Sequence, residues 1–400
     1  MTDSKWLLPD GVEEFLPPIA WDLESVRRQV LDVFRSWGFS YIEPPIIEYL
    51  DALLAGTGDL GHENDLDMQT IKVVDQRSGR LMGIRSDITA QAVRIDAHSL
   101  ADSEDNVRRL CYAGPVVQAN PMAALDSRVP IKAGAEIFGW PNHAADAEVI
   151  ALMVDVLNNV GIADPVVVLG HMGIYAGLIE EFNLDAETEK ALFVAVQAKS
   201  QADIKLLLSG RGDIELIQRL PLIMGDISDL SNAVEVLSGA SKSTRIAVEE
   251  LQNLSKEVSA RFPNLKIRFD LAELAGYGYH NGPVFSAYQP QQGRAIARGG
   301  RYDGIGSIFG EGRPATGFDI SLQQLIISTE PEMAVWVARS ENMSGSDLRL
   351  LEAEIIRLRS AGERVVVSLG AEDVPPVNCD RELVNIGGVY NVVPLANSNI

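Results

Sequence analysis

Between Ile174 and Ala260 the sequence stops encoding strands. Helical periodicity dominates that stretch, through Ala186–Ala198, Asp203–Leu208 and Ser243–Ala260, and no clear strand breaks it. Both flanks differ: they hold short apolar runs bounded by Gly, Pro and polar turns, which read as strands. The chain is therefore predicted to fold as one body interrupted once by a helical insertion. Val166–Leu169 before the insertion belongs to the same body as Leu265–Phe269, Val284–Tyr288 and Arg294–Ala297 after it.

Residues 21–37 predict an amphipathic helix, with Leu23, Val26, Val30, Val33, Phe34 and Trp37 at helical spacing and Gly38 as the stop. Tyr41-Ile42-Glu43 follows as a strand and runs into Pro44 and Pro45. Prolines cannot donate to a ladder, so this strand is placed at an edge or a boundary. Ile71–Asp75 and Leu81–Arg85 flank a loop containing Gly79 and predict a hairpin. Thr89–Ala97 is a short helix with Asp87 near its start. Leu110–Val117 and Ala133–Trp140 are strands joined by a loop with Pro121 and Pro130, and helix Asp146–Val160 stops at Gly161. A last segment reads as strand Val335–Val337, helix Asp347–Ala361, strand Val365–Ser368 and a short tail. Largely antiparallel strands with helices on one side make an α+β layout. The boundaries are 1–173 and 261–331 for the two parts of the body, 174–260 for the insertion and 332–400 for a small C-terminal α/β domain.

Composition narrows the functional classes. Four hundred residues, 46% hydrophobic, support a buried core and two or three domains. No apolar run is long enough for a membrane helix, and the start, Met1 to Trp6, lacks a secretory pattern. Cys111 and Cys379 are too far apart in sequence to suggest a disulfide framework or a thiolate site. The histidines at 62, 98, 143, 171 and 280 show no ligand spacing. These features predict a reduced, cytoplasmic protein with no metal or cofactor. The net charge of −22 and pI near 4.6 make nucleic acid an unfavourable partner, since such binding draws on Lys and Arg; alternatively, the acidity serves only solubility.

The chemistry-bearing residues lie in three glycine- and aromatic-rich stretches. The first is Arg85-Ser86-Asp87-Ile88-Thr89, continued by Tyr112-Ala113-Gly114-Pro115-Val116-Val117-Gln118. The second is Ala275-Gly276-Tyr277-Gly278-Tyr279-His280-Asn281-Gly282-Pro283. The third is Gly299-Gly300-Arg301-Tyr302-Asp303-Gly304, followed by Gly317-Phe318-Asp319-Ile320-Ser321-Leu322-Gln323-Gln324-Leu325. Asp87 and Thr89 fit helix capping as well as ligand binding. Glu136, between apolar neighbours on a strand, requires a partner: a ligand or a structural cation. Tyr302 fits either a pocket wall or the core. The glycines at 299–304 lack the spacing and lysine of a phosphate loop.

Together these stretches resemble the active site of histidyl-tRNA synthetase, and the helix–strand–proline unit at 21–45 resembles the dimer-forming first motif of class II synthetases. The resemblance implies an antiparallel class II sheet and a pocket for histidine. In it Asp87 and Thr89 would take the ammonium, Glu136 the imidazole, and Tyr279 and His280 would close over the ring beside Tyr302. Lys132 stands where the synthetases usually carry Gln; it either turns away or approaches the ligand carboxylate. Arginine, which the synthetases use at the ATP phosphates, is replaced by Gln118, Ala275 and Gln324. Removing one such preorganised donor commonly costs about 10²–10³ in rate.

Trp6-Leu7-Leu8-Pro9-Asp10-Gly11, Arg85 to Gln91 and Tyr112-Ala113-Gly114 are more similar to a paralogue of the synthetase, the regulatory subunits of ATP phosphoribosyltransferase. That likeness implies a subunit without catalysis that activates a short-form catalytic subunit and senses L-histidine, as a dimer within a hetero-octamer. It covers nearly residues 1–330; the C-terminal segment is only loosely like an anticodon-binding domain and lacks a full second half. The alternatives are an active histidyl-tRNA synthetase and an RNA-binding translation-control paralogue.

Overall fold

The computed structural model describes residues 7–54, 65–120, 127–274, 279–290, 293–310, 312–327, 332–340, 343–370 and 372–395. Trp6, His62, Pro121, Ala275, Gly276, Tyr277 and Gly278 lie outside the described residues. The chain divides into two compact units, residues 1–327 and 328–400.

Pro44 and Pro45 split the early chain between two sheets. Before them, β1 (Ser40–Tyr41) runs parallel to β5 (Arg108–Pro115) and ends the large sheet at that side, as an edge position requires. After them, β2 (Ile47–Tyr49) pairs with β4 (Leu81–Ile84), which forms the predicted hairpin with β3 (Ile71–Val74). Gly79 turns that hairpin at a φ of +72°, a conformation other residues adopt at a cost.

The large sheet has nine strands among the described residues, in the order β1-β5-β6-β12-β11-β10-β7-β9-β8. Its members are β6 (Ile131–Phe138), β7 (Val166–His171), β8 (Met224–Asp226), β9 (Lys266–Asp270), β10 (Pro283–Tyr288), β11 (Ala295–Arg301) and β12 (Ala315–Ser321). The middle, from β5 to β7, is antiparallel throughout. Strands from both sides of the insertion therefore do interleave in one sheet.

Alternation within these strands gives the sheet two different faces. One presents Cys111, Ala113, Ala135, Ile137, Phe318, Ile320, Phe285 and Leu169 to a continuous apolar core. The helices Ile19–Ser36, His143–Asn159 and Lys242–Arg261 bring Val30 and Phe34, Ile150 and Met153, and Leu251 and Val258 to it. Each such side chain, fully buried, contributes about 1.5–3 kcal/mol relative to exposure. The insertion shares this core: Leu192 and Ile204, on helices Ala186–Gln197 and Gln201–Leu207, belong to it.

Three expectations need correction. The insertion is not free of strands, because β8 adds Met224–Asp226 to β9 at the sheet edge. Its Met-Gly-Asp sequence has no strand preference of its own, and pairing with a preformed neighbour supplies the hydrogen bonds. Ala315–Ser321 forms a central strand that periodicity did not single out. The C-terminal tail is a hairpin, β15 (Cys379–Ile386) and β16 (Val389–Pro394), which completes a four-stranded sheet with β13 (Ala334–Val337) and β14 (Val365–Val367). Gly387 and Gly388, both at positive φ, make its turn. Helix Gly345–Ser360 packs Leu351, Ile355 and Leu358 against Val335 and Val337 within that second unit.

Candidate functional site

The face of the large sheet opposite the helices carries the chemistry. Glu136, Gly317 and Gly300 lie side by side across β6, β12 and β11. One pair further along, Tyr112, Gly134, Asp319 and Arg298 form a second row. Glycine makes room here for functional side chains. A Cβ on Gly317 would fall 1.5 Å from the Glu136 Oε2, and one on Gly134 would fall 2.4 Å from the Tyr112 hydroxyl.

Glu136 is 1% exposed, and both its oxygens are engaged. Tyr112 donates to Oε1 at 2.9 Å and Tyr302 to Oε2 at 2.5 Å. Thr89, on helix Thr89–Arg94, meets the Tyr112 hydroxyl at 3.0 Å. No cation pairs with Glu136 among the described residues, so the structural ion pair is not what holds it. Loss of water pushes its carboxyl up to about 8, against the opposing pull of the two tyrosine hydroxyls. A carboxyl so placed holds its proton near neutrality and can donate as well as accept a hydrogen bond.

Asp87 accepts the Thr89 backbone N–H at 3.1 Å just ahead of the short helix, whose N-cap position is Ile88 and carries no side-chain cap. The Asp87 carboxyl is also held above the ordinary range, first by burial and then by the negative charge of Asp319. Lys132 turns to Asp319 and forms an ion pair with it. Tyr279 packs at a tilt against Tyr302, ring centres 5.1 Å apart, and meets His280 edge-on at 5.3 Å. Among the described residues the buried Tyr279 hydroxyl has no hydrogen-bond partner. The structure thus brings Asp87, Thr89, Lys132, Glu136, Tyr279, His280 and Tyr302 to one region. Tyr112 and Asp319 join them and were missed as site members; alternation from Glu136 and Gly134 across the paired strands is the signal that finds them.

The replaced arginine positions differ among themselves. Gln118 sits at the end of the β5 segment, its carbonyl accepting from the Arg128 Nε at 3.1 Å, while Arg128 also reaches the Asp10 carbonyl at 3.3 Å. Gln324 lies on the short Leu322–Leu325 helix with its Oε1 buried and unpartnered among the described residues. Ala275 lies outside the described residues. Two arginines of the motifs are structural. Arg85, 2% exposed, donates to the Pro44 and Pro115 carbonyls at 2.7 and 2.9 Å, and Arg301 pairs with Asp146 at 2.8 Å on the helix side. A groove of about 670 Å³ elsewhere, lined by His171, Ser243, Glu250 and Asn281, does not include Glu136. No group of three or more His, Cys, Asp or Glu among the described residues is placed to hold a metal ion.

The geometry agrees with two matching families. The histidyl-tRNA synthetase family matches residues 11–325, and the ATP phosphoribosyltransferase subunit HisZ C-terminal domain matches residues 343–393. An ATP phosphoribosyltransferase regulatory subunit of Pseudomonas fluorescens (strain Pf-5) is 42% identical over 99% of this chain and 100% of its own length. The chain belongs to the ATP phosphoribosyltransferase regulatory-subunit family. A relative of that name from Azotobacter vinelandii is also 42% identical, over 99% of both chains. Among solved structures, one from Bacillus halodurans, described as an ATP phosphoribosyltransferase regulatory subunit/histidyl-tRNA synthetase, superposes with a TM-score of 0.79 at 25% identity, covering 93% of this chain and 95% of that one. Histidyl-tRNA synthetase from Nostoc sp. PCC 7120 does so at 0.76 and 20% identity, covering 95% and 91%, a likeness of fold. The family's fold is thus the α+β, class II synthetase-like one that the motifs resemble. No helix among the described residues is long and apolar enough to cross a membrane.

Proposed function

We propose that this chain is a non-catalytic subunit that activates a short-form ATP phosphoribosyltransferase catalytic subunit and imposes feedback inhibition by L-histidine bound at Glu136. The observation that carries the reading is a buried acid, Glu136, held by Tyr112 and Tyr302 beside an unpartnered Tyr279 hydroxyl. An imidazole fits both needs: one ring nitrogen exchanges a hydrogen bond with Glu136, and Tyr279 gains the partner it lacks. Asp87 and Thr89 offer oxygens to an ammonium. Glutamine at 118 and 324 cannot neutralise a triphosphate, which supports a site for an amino acid without adenylation. Histidine would act by binding one conformation of the complex better than another, with coupling of about 1–3 kcal/mol. The assembly proposed is a hetero-octamer containing dimers of this chain, formed through the helix–strand–proline unit at 21–45.

The test is reconstitution with a short-form catalytic subunit. Activity should rise on adding this chain and fall with L-histidine, and Glu136→Ala or Tyr279→Phe should raise the inhibitory histidine concentration at least about tenfold while activation persists. Activation and inhibition lost together in a folded variant would merge the pocket with the activating surface. Arg128, beside Gln118, is the feature that favours the synthetase reading; histidine-dependent ATP–pyrophosphate exchange by the isolated chain would establish that alternative, and none is expected.

A further inference from the structure

We propose that Arg298 provides the cation for the carboxylate of the amino acid held at Glu136, an inference that rests on the pocket reading above. Arg298 on β11 is in register with Asp319 on β12 and Ser286 on β10. Opposed residues of antiparallel strands project from the same face, so its side chain leaves the sheet where Glu136, Gly317 and Asp319 do. Two strand spacings, about 9.6 Å, separate the backbones of Glu136 and Gly300, and Arg298 lies one same-face step, about 6.8 Å, along β11 from Gly300. A ligand anchored by its ring at Glu136 can thus extend its head group over β11.

The other cations of this region are committed. Lys132 is paired with Asp319, Arg85 is held by the Pro44 and Pro115 carbonyls, and Arg301 faces Asp146 across the sheet. The sequence at 121–126 and 275–278 contains no Lys or Arg. Arg298 is exposed, and among the described residues no hydrogen bond or ion pair engages its side chain; its charge is felt at Tyr288. That is unusual in a chain with 56 acidic residues against 34 Lys and Arg. An incoming carboxylate would meet Asp87 and Asp319 on this face, so it needs a positive partner. A guanidinium can grip it with two parallel hydrogen bonds.

Calorimetry on the full chain with L-histidine and with histamine, which lacks the carboxylate, tests this. Wild type should prefer L-histidine. Arg298→Ala should weaken L-histidine by about 10–100-fold and histamine by less than about threefold, with Arg298→Lys recovering part of the loss. Unchanged L-histidine affinity in Arg298→Ala, an equal loss for both ligands, or a carboxylate-specific loss in Lys132→Ala in its place would overturn the assignment. If wild type bound neither ligand, the pocket reading itself would fall and take this inference with it; histamine binding without any preference for L-histidine would sink the inference alone.

Discussion

At the scale of single residues, the site is governed by one acid kept dry. Glu136 is held near 8 where an ordinary glutamate lies near 4.5. Between these values the native chain keeps a proton that the unfolded chain has released. The contribution to stability is therefore full below about 4.5 and declines as pH rises through about 8. Its steepest slope is ~1.4 kcal/mol per pH unit. Glu136→Gln keeps the shape and removes the titration, so the variant should gain on wild type as pH rises from 5 to 9. Urea unfolding of both proteins across that range checks it; parallel stability curves would show that burial does not raise this carboxyl. Lys132 finds its partner at the same scale, in an ion pair with Asp319.

At the scale of elements, the central strands work by omission. Gly317 faces Glu136 across β12 and β6, and Gly134 faces Tyr112 across β6 and β5. Gly317→Ala puts a methyl carbon within 1.5 Å of the Glu136 carboxylate, too close for either group to stay. The acid must move, breaking its bonds to Tyr112 and Tyr302 inside the protein. Buried hydrogen bonds lost without replacement cost about 1–3 kcal/mol each, so a stability loss of at least ~2 kcal/mol is expected, together with loss of the histidine binding proposed for this site. Denaturant titration and calorimetry measure the two effects. A variant as stable as wild type that still bound histidine would mean that the Glu136 position is not set by this close approach. The hairpin β15–β16 teaches the complementary lesson: Gly387-Gly388 between two apolar runs was a readable turn, yet the segment passes for a tail when read without its neighbours.

At the scale of the whole molecule, charge dominates. A net charge of −22 repels itself and repels phosphate chains. Added salt screens that repulsion over a Debye length of about 8–10 Å near physiological ionic strength. Raising NaCl from about 20 to 300 mM should therefore raise the melting temperature. Transfer RNA should bind weakly, and what binding local Lys and Arg provide should fall with salt as counterion release loses its drive. Differential scanning calorimetry and a binding titration at several salt concentrations test both. Tight association with transfer RNA at physiological salt would favour an RNA-binding role over the regulatory one.

Much of the fold was legible because apolar spacing is a local property. The helix around Leu23 to Phe34, the hairpin at Gly79 and the strands around Tyr112 and Glu136 all follow from residues near one another in sequence. β8 and β12 were not legible in this way, since Met224–Asp226 and Ala315–Ser321 become strands by pairing with neighbours already formed. The site divides along the same line. The sequence by itself determined which side chains are available: a carboxyl among apolar residues, tyrosines beside glycines, and glutamine at two positions where a synthetase carries arginine. Only the tertiary structure decided their states, because those depend on distant partners. Tyr302 reaches Glu136 from more than a hundred and sixty residues away, Asp319 claims Lys132, and the sheet leaves Arg298 uncommitted on the face where Glu136 lies.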